Sequence, residues 1–240
     1  TAAQWSLMGG GTNDAWLTID PNTGVLSGTP GPAEVGPVIV NVHVEEPALP
    51  SNFADATLMF NVTQALAFEN FEVCPGIFTL MGEWQCGAPT NPMGPLAAFS
   101  GNNVIAVGRT ANYPNGLAYA NNYARVGPID LTGLTNVTIT FQGWLHTETN
   151  WDGFNISGST DGVNFALIDF PNITPDYQDD TVGTEPAWTG DFAADGYSVY
   201  TVDADAYAGM NNVYFEFSSY SDGIINDVGV FLDDFVIAGN

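Results

Sequence analysis

The stretch VTITFQGWL (137–145) decides the fold class. In it, β-branched and aromatic residues alternate with small or polar ones, which is the period of a half-buried strand. Runs of the same kind recur as VIVNVHVE (38–45), NVYFEFSSY (212–220) and VFLDDFVI (230–237), and 27 glycines and 15 prolines punctuate the chain. Little of the 240-residue sequence has a helical period. The sequence therefore predicts an all-β protein of antiparallel sheets joined by turns.

The charge balance excludes two classes of partner. The 27 acidic residues are accompanied by only two basic ones, Arg109 and Arg125, so the formal net charge is −25. Such a surface repels phosphate backbones and anionic lipid headgroups. No stretch approaches the ~18 apolar residues of a membrane-spanning helix. The sequence therefore predicts no nucleic-acid binding and no membrane insertion.

The two cysteines indicate the compartment. Cys74 and Cys86 lie in the Gly/Pro-containing stretch FEVCPGIFTLMGEWQCGAP (71–89). A metal-binding pair is the alternative, but no further cysteine or histidine cluster lies nearby in the sequence to complete a zinc site. The spacing favours a local disulfide, which predicts a secreted or cell-surface, extracellular protein.

Residues 1–64 contain a turn flanked by two short strands, in the stretch WLTIDPNTGVLSGTP (16–30). Proline presets φ at the second turn position, and asparagine or glycine adopts the positive φ that follows. This stretch resembles the putative-immunoglobulin and cadherin-like repeats of large bacterial surface proteins. The resemblance implies a β-sandwich spacer whose first strand is expected to be missing. An edge left open in this way invites strand addition, so self-assembly through that edge is one expectation.

Residues 66–240 carry a second set of landmarks. In chain order these are WQCGAPT (84–90), SGNNV (100–104), GPIDL (127–131), WLHTE (144–148), WDG (151–153), STDGVNF (159–165) and FLDDF (231–235). Their order resembles the MAM-like jelly-roll modules attached to secreted bacterial metalloproteases of the immune-inhibitor-A kind and to adhesins. Phe165 stands where tryptophan is usual, and Gly127 replaces the usual serine. The resemblance implies a jelly-roll β-sandwich.

Calcium is the predicted cofactor. In jelly-roll modules a structural ion commonly joins the first strand to the last, and the matching positions here are Glu69 and Asp234. A carboxylate with apolar neighbours needs a partner or a metal, and two arginines supply few partners. Asp233 is expected on the opposite strand face from Asp234, toward a surface loop or an ion.

A second calcium site is predicted from two loops, 148–152 and 222–227. Glu148 and Asp152 are the candidate ligands in the first loop, because calcium prefers carboxylate oxygens on turns. Asp152-Gly153 is equally typical of an ordinary hairpin turn.

The tryptophans divide into two groups. Trp84 and Trp144 occupy landmark positions and are expected in the core. Trp151 and Trp188, together with Tyr177, lie in polar loops and are the candidate residues for stacking on a sugar ring, although burial is the commoner fate of an aromatic residue in a sandwich.

No catalytic motif marks this chain. The sequence contains no HExxH, GxSxG or phosphate-binding glycine loop, and His43 and His146 are its two histidines. The sequence therefore predicts a non-catalytic, calcium-stabilised adhesion or binding module of a larger secreted or surface protein. Its expected ligand is a glycan or a protein on a cell or matrix surface. Two alternatives are an accessory domain of a secreted hydrolase (metalloprotease or glycoside hydrolase) and a subunit of an extracellular filament assembled by strand donation.

Overall fold

The computed structural model describes residues 2–31 and 34–240, and they form an all-β protein of two compact units. The first unit comprises the residues through Gln64 together with Asn240, and the second is Ala65–Gly239. Within the described ranges, no helix is long and apolar enough to cross a membrane.

The described residues of the first unit form five strands. They are β1 (Gln4–Thr12), β2 (Thr18–Ile19), β3 (Leu26–Ser27), β4 (Gly36–Glu46) and β5 (Leu49–Val62). β1, β4 and β5 form an antiparallel sheet in that order, and β2 pairs with β3. The turn between β2 and β3 forms as the sequence predicts: Asp20 accepts hydrogen bonds from the backbone N–H groups of Asn22 and Thr23, and Gly24 has φ +74°. A side chain at Gly24 would also collide with the Trp5 ring.

β5 is one of the two edge strands of its sheet, with β1 at the other edge, and every residue of β5 except the last, Val62, is exposed. The exposed side chains include Phe53 and Met59, at 57% and 76% exposure. This is the kind of open edge that favours strand addition. The missing first strand, and self-assembly through the edge that its absence would leave open, stay predictions.

The second unit contains two larger sheets. The strands of the five-stranded sheet are β7 (Phe78–Leu80), β10 (Tyr123–Ile129), β12 (Gly153–Ser159), β13 (Ala166–Leu167) and β18 (Val213–Tyr220). Their order in the sheet is β13-β12-β18-β10-β7. The strands of the seven-stranded sheet are β6 (Gln64–Glu69), β8 (Trp84–Gly87), β9 (Val104–Val107), β11 (Thr138–His146), β14 (Ile173–Thr174), β17 (Ser198–Asp203) and β19 (Gly229–Gly239). Their order is β14-β17-β11-β19-β9-β8, and β6 also pairs with β19.

Smaller elements connect these strands. A hairpin of β15 (Asp179–Val182) and β16 (Glu185–Ala187) precedes β17. Three short 3-10 turns lie at Tyr119–Asn121, Ala193–Asp195 and Asp205–Tyr207.

The two larger sheets pack face to face around one core. Phe141 of β11 lies 4.8 Å from Phe217 of β18, and Phe235 of β19 lies 5.0 Å from Phe78 of β7, measured between ring centroids. The strands β9, β11, β17 and β19 belong to one sheet, and β10, β12 and β18, which lie between them in the sequence, belong to the other. The alternating side chains of each strand therefore contribute one face to a shared β-sandwich core, as the sequence predicts.

The predicted disulfide is confirmed. Cys74 and Cys86 are bonded, and the bond joins the loop before β7 to β8. No cysteine is left free to serve as a metal ligand.

Removing this disulfide should destabilise the protein measurably. We expect the Cys74→Ala/Cys86→Ala variant to lose about 2–3 kcal/mol of unfolding free energy. The reason is that the unfolded chain regains the conformational entropy that the cross-link removes by closing a short loop. Urea denaturation followed by tryptophan fluorescence measures the loss, and reduced wild type serves as the control. A loss smaller than about 0.5 kcal/mol would contradict this prediction, because the disulfide would then contribute almost nothing to stability.

Candidate functional site

Three carboxylates meet at one end of the sandwich of the second unit. Glu148 and Asp152 lie in the turn that joins β11 to β12, and Asp222 follows β18. The first loop leads into β12 and the second loop leaves β18. These two strands are paired, so the two loops are adjacent. As a result, carboxylate oxygens of these three residues lie within 4.8 Å of one another.

Asp152 is the fixed centre of this acidic cluster (Glu148, Asp152 and Asp222). It is completely buried. Its Oδ2 accepts a hydrogen bond from the Tyr113 hydroxyl at 2.7 Å, and its Oδ1 accepts one from the Asp222 backbone N–H at 2.7 Å. The Asp152 backbone N–H donates to the Glu148 carbonyl at 3.0 Å, which closes the turn. Backbone and side-chain bonds thus hold both loops in place around one carboxylate.

Glu148 lacks the partners that Asp152 has. Its Oε2 is buried and has no hydrogen-bond donor among residues 2–31 and 34–240. Burial, followed by the negative charges of Asp152, Asp222 and Asp227, raises the pKa of the Glu148 carboxyl. Burial likewise raises the pKa of Asp152, against the lowering effect of its bonds from Tyr113 and Asp222. The cluster therefore holds negative charge at a free-energy cost.

Protein cations do not relieve this cost in the described part of the chain. Arg125 pairs with Glu216, and Arg109 Nη1 donates a hydrogen bond to the Ala88 carbonyl. The nearest histidine in sequence, His146, lies 3.7 Å from Asp227, measured from Nε2 to Oδ1. An all-oxygen donor set of this kind suits a hard divalent cation. The acidic cluster could therefore hold a metal ion, as the sequence predicts for these two loops.

The other predicted calcium ligands have protein partners. Glu69 ends β6, and its two carboxylate oxygens accept hydrogen bonds from the backbone N–H groups of Phe71 and Ile77, at 2.8 and 3.0 Å. Asp234 accepts one from the Ser100 hydroxyl at 2.6 Å. Within the described residues, neither belongs to a group of three or more His, Cys, Asp or Glu side chains that could share a metal ion. A calcium ion that joins Glu69 to Asp234 stays a prediction.

The expected alternation of Asp233 and Asp234 is wrong. Asp234 and Phe235 together lie opposite the single residue Phe141, and Asp234 has φ +44°, so β19 bulges here. A bulge re-aims side chains and interrupts the strict two-residue alternation. In consequence both carboxylates reach Ser100: Asp233 accepts from its backbone N–H at 3.0 Å, and Asp234 accepts from its hydroxyl.

Asp233 should make the folded protein less stable as the pH rises, which is the opposite of the usual effect of a carboxylate. Burial raises its pKa from 3.8 to about 6, despite hydrogen bonds from Ser100 and Asp234 that lower it. The folded protein therefore holds this proton more tightly than the unfolded chain, and the contribution of Asp233 to stability falls as the pH rises between 3.8 and about 6. In EDTA, the unfolding free energy of Asp233→Asn relative to that of wild type should therefore increase as the pH rises through that window. A pH-independent difference between the two proteins, measured by urea denaturation, would contradict this.

The candidate sugar-stacking residues are mostly buried. Trp188 is 0% exposed and Tyr177 is 8% exposed, and their rings lie 4.7 Å apart in the core. Their predicted ligand-facing role therefore does not fit their positions, because the polar segment that carries them folds onto the sandwich. Trp151 is 59% exposed. Trp84 and Trp144 are buried as expected.

Tyr113 is the residue of this site that the sequence analysis misses. It lies in the loop after β9, 39 positions before Asp152. Its hydroxyl also accepts a hydrogen bond from the Glu148 backbone N–H at 3.2 Å. Nothing in the local stretch NYPN (112–115) indicates this contact.

Several solved structures are similar to this chain. The K2 cleaved adhesin domain of Lys-gingipain is 23% identical, with a TM-score of 0.43, and the match covers 72% of this chain and 97% of that one. A structure of carbohydrate-binding modules from the β-sandwich superfamily is 12% identical, with a TM-score of 0.48, and the match covers 99% and 84%. SGBP-B from a xyloglucan utilization locus in Bacteroides uniformis is 11% identical, with a TM-score of 0.44, and the match covers 99% and 65%.

No protein-family model matches the sequence, and no curated protein matches it either. With TM-scores below 0.5, the structural similarities assign neither a ligand nor a functional residue to this chain.

Proposed function

We propose that this chain is a non-catalytic binding module of an extracellular surface protein, and that a bound calcium ion stabilises its second unit. The observation that supports the calcium part most directly is the acidic cluster, in which carboxylate oxygens of Glu148, Asp152 and Asp222 lie within 4.8 Å of one another. Like charges so close together are unfavourable unless a cation neutralises them.

Calcium suits this donor set better than its competitors. Zinc favours nitrogen and sulfur ligands in tetrahedral sites, and magnesium requires near-ideal octahedral geometry. Calcium accepts six to eight oxygens in irregular arrangements, including backbone carbonyls and water. Two of the carboxylates come from one turn and the third from another loop, which is the irregular arrangement that calcium tolerates.

The non-catalytic part of the proposal rests on the sequence, which contains no HExxH, GxSxG or phosphate-binding glycine motif. The two histidines have carboxylate neighbours. His43 Nδ1 lies 2.6 Å from Asp55 Oδ1, and this hydrogen bond, with the nearby Glu45, raises the pKa of His43. His146 Nε2 lies 3.8 Å from Asp191 Oδ2 and 3.7 Å from Asp227 Oδ1.

Thermal melting tests the calcium part of this proposal. The second unit should melt at a higher temperature in calcium than in EDTA, because an ion that binds only the folded state stabilises it. Magnesium at the same concentration should raise the melting temperature less. Equal melting temperatures in calcium and EDTA would contradict the proposal.

A further inference from the structure

A polar groove lies on the outer face of the five-stranded sheet, and none of the three carboxylates of the acidic cluster lines it. Asn155 of β12 pairs with Ser218 of β18, and Ser157 pairs with Glu216. The intervening residues, such as Phe217, point into the core, so these four side chains point outward and form the floor of the groove. The groove has a volume of about 190 Å³, and its walls include Tyr119, Phe165 and Glu185.

Arg125 and Glu216 form an ion pair at the floor of the groove. Arg125 Nε donates to Glu216 Oε2 at 2.7 Å, and the Ser218 hydroxyl donates to Glu216 Oε1 at 3.0 Å. The Arg125 guanidinium lies between the rings of Tyr123 and Phe165, 4.4 and 4.3 Å from their centroids. The arginine is therefore already engaged with a carboxylate and two rings, and it does not offer a free positive charge to an anionic ligand.

Asn155 presents an unused acceptor at the same place. Its side chain is completely buried, and its Nδ2 donates to Glu185 Oε2 at 3.0 Å and to the Pro186 carbonyl at 3.2 Å. Both of these partners are acceptors, so the amide orientation is fixed. Oδ1 then has no hydrogen-bond donor in the described part of the chain. A buried acceptor without a donor destabilises the folded protein, and a ligand hydroxyl that donates to it would remove that cost.

We propose that this groove binds a neutral carbohydrate and accommodates one of its sugar residues. The inference rests on the proposed role as a binding module. Sugar hydroxyls both donate and accept, which matches an unpaired amide oxygen beside a carboxylate and serine hydroxyls. The apolar face of a sugar ring packs on aromatic side chains such as Tyr119 and Phe165. Glu185 and the net charge of −25 disfavour anionic ligands.

Affinity electrophoresis in native gels tests the groove directly. The probes are a neutral β-glucan, a neutral mannan and a neutral galactan, with polygalacturonate as the anionic comparison. At least one neutral polysaccharide should retard the wild type, and Phe165→Ala should weaken that binding about tenfold, the equivalent of one lost aromatic contact. The control is Phe170→Ala, which removes an exposed aromatic side chain that does not line the groove.

A second measurement needs no variant. In ¹⁵N-labelled wild type, the Asn155 side-chain amide signals should shift when the retarding polysaccharide, shortened to oligosaccharides, is added. Unshifted Asn155 signals, retardation by no neutral probe, equal retardation by polygalacturonate, or equal weakening in both phenylalanine variants would each overturn the groove assignment. Melting in calcium and EDTA separates the two proposals: a calcium response without sugar binding rejects only the groove, and sugar binding without a calcium response rejects only the ion.

Discussion

Replacement of Trp188 by alanine should lower the free energy of unfolding by about 3–5 kcal/mol, the usual cost of deleting a large buried aromatic side chain. The Trp188 ring is 0% exposed and lies 4.9 Å from Phe154 and 5.0 Å from Tyr200. Its indole N–H donates to the Pro175 carbonyl at 2.9 Å. Alanine would leave a cavity between the two sheets and an unpaired carbonyl beside it.

Trp151→Ala is the matched control, because it deletes the same side chain at a position that is 59% exposed. It should change the unfolding free energy by less than about 0.5 kcal/mol. Urea denaturation of both variants at one fixed calcium concentration gives the comparison. Equal losses in the two variants would contradict the burial of Trp188 and restore the interpretation of both residues as surface aromatics.

Glu148→Gln should have opposite effects in EDTA and in calcium. In EDTA the variant should be more stable than wild type, because glutamine removes the charge whose burial and repulsion raise the pKa of Glu148. At a free calcium concentration about a thousandfold above the Kd of the site, calcium binding should add about 4 kcal/mol to the unfolding free energy of wild type. That gain corresponds to a rise of roughly 8–16 °C in the melting temperature of a domain of this size. The variant should lose most of this gain.

The pH dependence of the same two states provides a further check. A carboxyl whose pKa is raised on folding costs more stability as the pH rises, so in EDTA the advantage of Glu148→Gln should grow as the pH rises above the ordinary value of 4.5. In calcium the wild type should instead gain stability with rising pH, because the ion needs deprotonated ligands.

Asp195→Asn is the control for net charge, since it removes one exposed carboxylate from a 3-10 turn outside the cluster. It should leave the calcium response unchanged. If Asp195→Asn and Glu148→Gln reduce the response equally, calcium acts by general screening of the −25 charge, and the specific site is rejected.

Much of the fold could be predicted from short stretches of sequence. The alternation in 137–145 appears as β11, and the spacing of Cys74 and Cys86 appears as a bond. The Asp20–Gly24 turn forms because its φ values are set by those residues themselves. Each of these features depends on neighbours within a dozen positions, so local stereochemistry decides it.

The candidate site was predictable only in part. The sequence indicates the two acidic loops, but Asp152 and the Asp222 backbone meet across 70 positions, and Tyr113 joins them from a third loop. The bulge at Asp234 also lies outside any local pattern, because it depends on how β19 pairs with β11.

The sequence by itself determined the alternation of strands, the turn chemistry, the cross-link and the surplus of negative charge. The tertiary structure alone decided which carboxylates converge, which tryptophan is covered and which polar face becomes a groove. The physical reason is that strand period and backbone preference act over a few residues. Burial and close approach depend instead on which strands pair and which loops cover them, and many pairings are compatible with the same alternating pattern.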